Sequence, residues 1–197
     1  MKFIRKSDES EMILSFLKGE LSSERFKEKL LKIISNNLDI IKNGDILNKE
    51  ENILRYQILQ KYRGCPGGEL FFNFPKIISW DYVELDSSDL DKIYYINYDY
   101  WNELSNNTSK PKEAAKTIKE RKEIFGVSNE PFIKGMKQNE KFPPVILITC
   151  NKEKYLIIEG HSRMTIYGLA PNKMNQTYAF IGFCSVEDMS KYDKRMI

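Results

Sequence analysis

Residues 156–167 read Leu156-Ile157-Ile158-Glu159-Gly160-His161-Ser162-Arg163-Met164-Thr165-Ile166-Tyr167, and this stretch carries more potential chemistry than any other part of the chain. An apolar run ends at Glu159, Gly160 permits a tight backbone path, and helical spacing begins at once. The N-terminus of a helix presents N–H groups with no intrahelical partner and a partial positive charge, which suits an anion. Three side chains there can donate to a phosphate: the Ser162 hydroxyl, the Arg163 guanidinium fork, and the His161 imidazole, whose charge changes near neutral pH. Glu159 can hold a metal-bound water or accept a proton from a substrate hydroxyl. The stretch reads as a phosphate cradle with a carboxylate beside it. A purely structural reading uses the same residues, with Gly160 as a turn, Ser162 as a cap, Arg163 lying along the helix and Glu159 solvated. His161 is the chain's one histidine, and its place between the glycine and the arginine brings the two readings level.

The elements that must position these residues form an α+β pattern. The first third reads as helices. Met12, Ile13, Phe16 and Leu17 recur at helical spacing up to Gly19, and Ser22 or Ser23 can cap a second helix carrying Phe26, Leu30, Ile33, Ile34, Leu38 and Ile41. Asn48 to Glu51 is a capping arrangement for a third helix, which ends at Arg63-Gly64 before the turn Cys65-Pro66-Gly67-Gly68. Residues 70–74, 77–80 and 93–98 have the aromatic and β-branched composition of strands. Pro111 opens a helix through Ile118 and Ile124 that ends near Gly126, and Pro131 opens another. Val145–Ile148 and Tyr155–Ile158 then read as strands about a polar turn, Ser162–Leu169 as a helix, and Tyr178–Phe183 as a last strand. The expected organisation is a helical region over 1–64, a connecting turn and strands over 65–92, and a mixed-sheet domain over 93–197.

Composition narrows the function classes. The chain has 197 residues with Lys+Arg 31 against Asp+Glu 28, a formal net charge of +3, so no global field advertises nucleic acid or an anionic membrane. No run approaches the roughly 20 apolar residues of a membrane helix, and the opening residues lack a signal peptide's apolar core. Cys65, Cys150 and Cys184 are odd in number and lack CxxC spacing, which implies reduced thiols, a cytoplasmic location and no zinc site.

The strand followed by Glu159-Gly160-His161-Ser162-Arg163 and an apolar helix resembles the signature of the ParB/sulfiredoxin-like superfamily, whose members bind nucleotide phosphates at such a turn. The approach through Phe142-Pro143-Pro144-Val145-Ile146-Leu147-Ile148 and Tyr155-Leu156-Ile157-Ile158 is also similar, and the likeness spans about residue 93 to the C-terminus. Sulfiredoxins carry a reactive cysteine where this chain has His161. Partitioning ParB proteins have Gly-Glu-Arg-Arg there and a helix-turn-helix region afterwards, for which the few residues after Phe183 are expected to leave no room. The pattern is most similar to the Asp-Gly-His-Thr-Arg of ADP-dependent free-serine kinases. The resemblance implies that Gly160, His161, Ser162 and Arg163 hold the phosphates of ADP or ATP. It also implies that Glu159 and His161 act near the transferred group, that Glu159 meets Mg²⁺, and that a small-molecule acceptor takes part. Glutamate in place of aspartate adds a methylene, which changes what fits.

Flanking candidates come from the segment where the family's pocket is lined. Asp99 or Glu103 is a possible general base and Trp101 a possible base-stacking platform, against a packing role for the aromatics. Thr108, Ser109 and Lys110 could reach phosphate from the other side or simply cap a helix. The expected function is nucleotide-dependent phosphoryl transfer or phosphoanhydride hydrolysis. The alternatives are a ParB-like DNA- or RNA-binding or nuclease protein, using the lysines at 110, 112 and 116–122, and a non-enzymatic nucleotide sensor.

Overall fold

A computed structural model describes residues 1–35, 37–65, 68, 71–137 and 142–197. The fold is α+β, built on a six-stranded mixed sheet with helices on both faces. The helices on one face come first in sequence. Asp8 caps α1 (Glu9–Ser22) by accepting from the Glu11 N–H at 2.9 Å. α2 (Lys27–Ile34) and α3 (Asp39–Lys42) follow, and then α4 (Lys49–Arg63), whose first-turn N–H groups of Glu50 and Glu51 are taken by Asn48. Gly64 ends α4 in the left-handed conformation, φ 72°. The buried Arg55 fixes the α3–α4 connection by donating to the Ile40 and Asp45 carbonyls, each at 2.8 Å, and to Glu51.

The sheet runs in the order β1 (Lys2–Ser7), β2 (Ile77–Leu85), β8 (Thr177–Cys184), β6 (Val145–Thr149), β7 (Tyr155–Glu159), β3 (Ile93–Tyr94). The pairs β8–β6 and β7–β3 are parallel and the rest antiparallel. Its central strands alternate between two cores, as a period of two requires. Val145, Leu147, Ala179 and Ile181 face the second helical layer, while Ile146 and Phe180 face α1, α2 and α4. The second layer contains α5 (Asp99–Leu104), α6 (Pro111–Glu120), α7 (Glu130–Lys137) and α8 (His161–Leu169). α9 (Val186–Tyr192) closes one end over Ile148, Leu156 and Cys184.

Several expectations for the elements are corrected. Residues 2–7 form an edge strand, although the first third reads as helices. Their cations hid the pattern, since Lys2, Arg5 and Lys6 pair with Glu84, Glu11 and Asp81. The sheet therefore draws strands from each of the segments 1–64, 65–92 and 93–197. Gly19 does not stop α1. It lets the helix approach Pro143, to which an added Cβ would lie at 3.2 Å. The expected helix over Phe26–Ile41 divides at Ser35, φ 53°. Neither Ser22 nor Ser23 caps it. Residues 71–74 are not strand, and 70 lies outside the described residues, as do Pro66 and Gly67 of the expected turn. The strand at 93–98 is only Ile93–Tyr94. The helix opened by Pro111 stops at Glu120 because Asn129 takes its exit, its backbone N–H bonding the Lys122 carbonyl and its side chain the Arg121 carbonyl. The next residues form the hairpin β4 (Glu123–Ile124) and β5 (Val127–Ser128), turning at Phe125-Gly126 with φ positive at both.

No helix among the described residues is long and apolar enough to cross a membrane.

Candidate functional site

β7 passes directly into α8 through Gly160, whose φ of 103° belongs to the left-handed region. Gly160 takes the N-cap position without a side-chain hydrogen bond, so no side chain caps the first turn of α8. Val145 packs so close that a Cβ on residue 160 would meet its Cγ1 at 2.6 Å. Sequence alone placed this junction correctly. Ser162 is exposed at its surface.

His161 and Arg163 leave the turn in different directions. Arg163 donates through Nη1 to the carbonyls of Pro143 at 2.6 Å and Pro144 at 2.7 Å, and through Nη2 to Glu159 Oε1 at 3.1 Å. Those bonds use both Nη1 hydrogens and one of Nη2. His161 instead lies against aromatic rings, with Trp101 at 5.2 Å and an interplanar angle of 16°, and Tyr95 at 6.1 Å. Tyr95 also stacks on Trp101 at 4.8 Å and shares a 2.7 Å hydrogen bond with Thr165. The Nε2 of His161 is buried and has no hydrogen-bond partner among the described residues.

Burial lowers the His161 pKa to about 4; Glu159 opposes the shift, and the charges of Arg163 and Arg63 add to it. The expected titration near neutrality therefore moves to acid pH, because apolar rings surround the imidazole. The folded value lies below the ordinary unfolded one of about 6.5. The unfolded chain thus takes up the proton first. Stability from this group is complete above about pH 6.5 and falls by roughly 3 kcal/mol on descending to about 4. Two other groups push the opposite way. Burial raises Glu20 and Glu9, which favour the folded state on acidification, whereas Arg5 lowers Glu11. Comparing His161→Phe with wild type isolates the imidazole. Between pH 7 and 5, urea unfolding should show wild type losing about 2 kcal/mol more than the variant. Parallel losses would mean an imidazole that titrates normally in the fold.

Glu159 stands between two guanidiniums. Its Oε1 accepts from Arg163 and its Oε2 from Arg63, the last residue of α4, at 2.8 Å. Arg63 also lies over Phe16, Phe26 and Tyr62, with centroid distances of 5.2 to 5.7 Å, and pairs weakly with Glu20 at 3.4 Å. Glu20 in turn accepts from the Tyr62 hydroxyl. Sequence reading missed Glu20, Tyr62 and Arg63. One signal was present. Glu20 falls on the core-facing stripe of α1 with Phe16 and Leu17, where a carboxylate requires a partner.

Of the flanking candidates, only Trp101 joins the motif, through its stack on His161. Asp99 is exposed at the start of α5, and Glu103 pairs with Arg121 at 2.7 Å. The Thr108 hydroxyl donates to the Ser105 carbonyl, while the Ser109 hydroxyl accepts from Arg195. Lys110 bonds the Asp91 carbonyl and covers the Tyr94 ring. None of these bonds is to a residue of 159–163. Nearby lysines are also engaged, Lys112 with Asp91 and Lys116 with Glu113. Burial pushes the Cys184 thiol up to about 12 and raises Cys150 as well, which keeps both protonated.

Among the described residues, no group of three or more His, Cys, Asp or Glu gathers as a metal site. A carboxylate bonded to two guanidiniums is also a poor seat for Mg²⁺, whose charge those cations repel. A cleft of about 430 Å³ runs between α1 and Pro143–Pro144, and another of about 350 Å³ lies by Lys2 and Glu84. Neither is lined by residues 159–163.

Compared with family models, curated proteins and solved structures, the chain matches none.

Proposed function

We propose that the protein binds the phosphates of a nucleotide, ADP or ATP, on the first turn of α8. The terminal P–O–P bond of the bound nucleotide breaks, its phosphoryl group passes to the hydroxyl of a small acceptor or to water, and the nucleotide shortened by one phosphate leaves. One observation carries this reading: the strand enters the helix through a left-handed glycine, and no side chain caps the first turn of α8. Exposed Ser162 adds a donor, and the orphaned Nε2 of His161 marks an unmet polar group at the same turn. His161 serves as a neutral donor or acceptor, since its pKa lies far below neutrality. Glu159 orients both arginines and can accept a hydrogen bond from the acceptor's hydroxyl. Mg²⁺ in this reading arrives with the nucleotide, held chiefly by its phosphates.

A non-enzymatic sensor is the second reading. Arg63 favours it, because this residue links the turn to α4 and the N-terminal helices. The lysines of α6 give little support to a nucleic-acid role, since Lys112 and Lys116 are paired.

Thermal unfolding with ADP, ATP or pyrophosphate, each with and without Mg²⁺, tests the binding. Ligand at one hundred times its Kd should stabilise the fold by about 2.7 kcal/mol. Phosphate release separates the two readings. Turnover that disappears in Glu159→Gln while binding persists supports the enzyme, and tight binding without turnover in wild type supports the sensor. Unshifted unfolding with every probe rejects both.

A further inference from the structure

Of the two guanidiniums at the turn, the one contributed by the motif has less left to give. Arg163 spends Nη1 on two backbone carbonyls and retains only its Nε–H and one Nη2 hydrogen. Among the described residues Arg63 bonds through Nη2 alone, to Glu159 and more weakly to Glu20, and neither its Nη1 hydrogens nor its Nε–H is used there. Its side chain is 30% exposed while bonded to Glu159, so part of this arginine stays open to solvent beside the turn. Three aromatic rings hold its guanidinium plane in place. Such a fork, immobilised before any ligand arrives, is what bidentate recognition of a phosphate requires.

We propose that Arg63, supplied by the end of α4, is the guanidinium that contacts the ligand's phosphate, and that Arg163 is a positioning residue holding Pro143 and Pro144 against the turn. This assignment rests on the phosphate reading of the β7–α8 junction. It gives the N-terminal helices a part in binding, one that the motif's own residues do not supply.

Calorimetric titration with ADP and with pyrophosphate tests it. Arg63→Gln should weaken both by tenfold or more, and Arg63→Lys should fall between, since an ammonium keeps the charge without the fork. The double variant Arg63→Gln/Glu159→Gln should remain weak. Recovery of wild-type affinity there would mean that Arg63 acts only by neutralising Glu159, which overturns direct contact. A measurement on the wild-type protein guards against variants that fail to fold. Saturating ADP should protect Arg63 from an arginine-selective dicarbonyl reagent, read residue by residue by mass spectrometry. Undiminished labelling of Arg63, or wild-type affinity in Arg63→Gln, overturns the assignment and leaves the phosphate reading standing. If wild type binds neither probe, the phosphate reading fails, and this assignment falls with it.

Discussion

Gly160→Ala is expected to destabilise the protein by about 4 kcal/mol, combining left-handed strain with overpacking. At this chain length that lowers Tm by roughly 10 °C. Two effects coincide at this residue. Its φ of 103° is open to glycine and strained for alanine. The new methyl group would also meet Val145 Cγ1 at 2.6 Å and Val145 Cβ at 3.0 Å, within a fully buried strand. Val145 cannot retreat, because it packs in the core between the sheet and the second helical layer. The double variant Gly160→Ala/Val145→Ala separates the two causes. It should recover the overpacking part and retain the strain. Thermal and urea unfolding check both numbers, and a loss below about 1 kcal/mol would show that the junction relaxes freely.

Arg163→Ala is expected to cost about 3 kcal/mol, since one side chain satisfies three acceptors. Without it the carbonyls of Pro143 and Pro144 lose their donor, and Glu159 keeps only Arg63. The arginine side chain is 16% exposed, so little of this is screened by solvent. Arg163→Lys should restore less than half of the loss, because an ammonium cannot span both carbonyls and the carboxylate with the same geometry. Denaturant unfolding reads the effect directly. A loss under about 1 kcal/mol would mean that water replaces the guanidinium at both carbonyls. The variant also bears on function. A large stability loss with modest change in nucleotide affinity fits a positioning role, whereas the reverse fits a direct phosphate contact.

The legible parts of the fold were those with strong local signals. Val145–Thr149 and Tyr155–Glu159 are short apolar runs between turn residues, and the polar turn at Asn151–Lys154 forms as expected, with the Asn151 side chain accepting from the Glu153 and Lys154 N–H groups. Asn48 and Gly64 bracket α4 as their chemistry demands. The element at residues 2–7 escaped notice because an edge strand need not alternate apolar and polar residues, and its charges find partners far along the chain. The end of α6 was misplaced for a similar reason. Asn129, which captures the carbonyl of Arg121, lies eight residues beyond it and carries no periodic signal.

By itself the sequence determined the α+β class, most of the central elements, and the place where a strand turns through glycine into a helix bearing His161, Ser162 and Arg163. Only the tertiary structure decided what those side chains do. It turned Arg163 onto the Pro143 and Pro144 carbonyls, sank the His161 imidazole among Tyr95 and Trp101, and brought Arg63 to Glu159 across 96 positions of chain. Backbone propensity and hydrophobic period are encoded within a few neighbouring residues, so they can be read along the chain. The donors left free on a guanidinium, or the pKa of a buried ring, depend on groups that meet only after the sheet and its helical layers have packed.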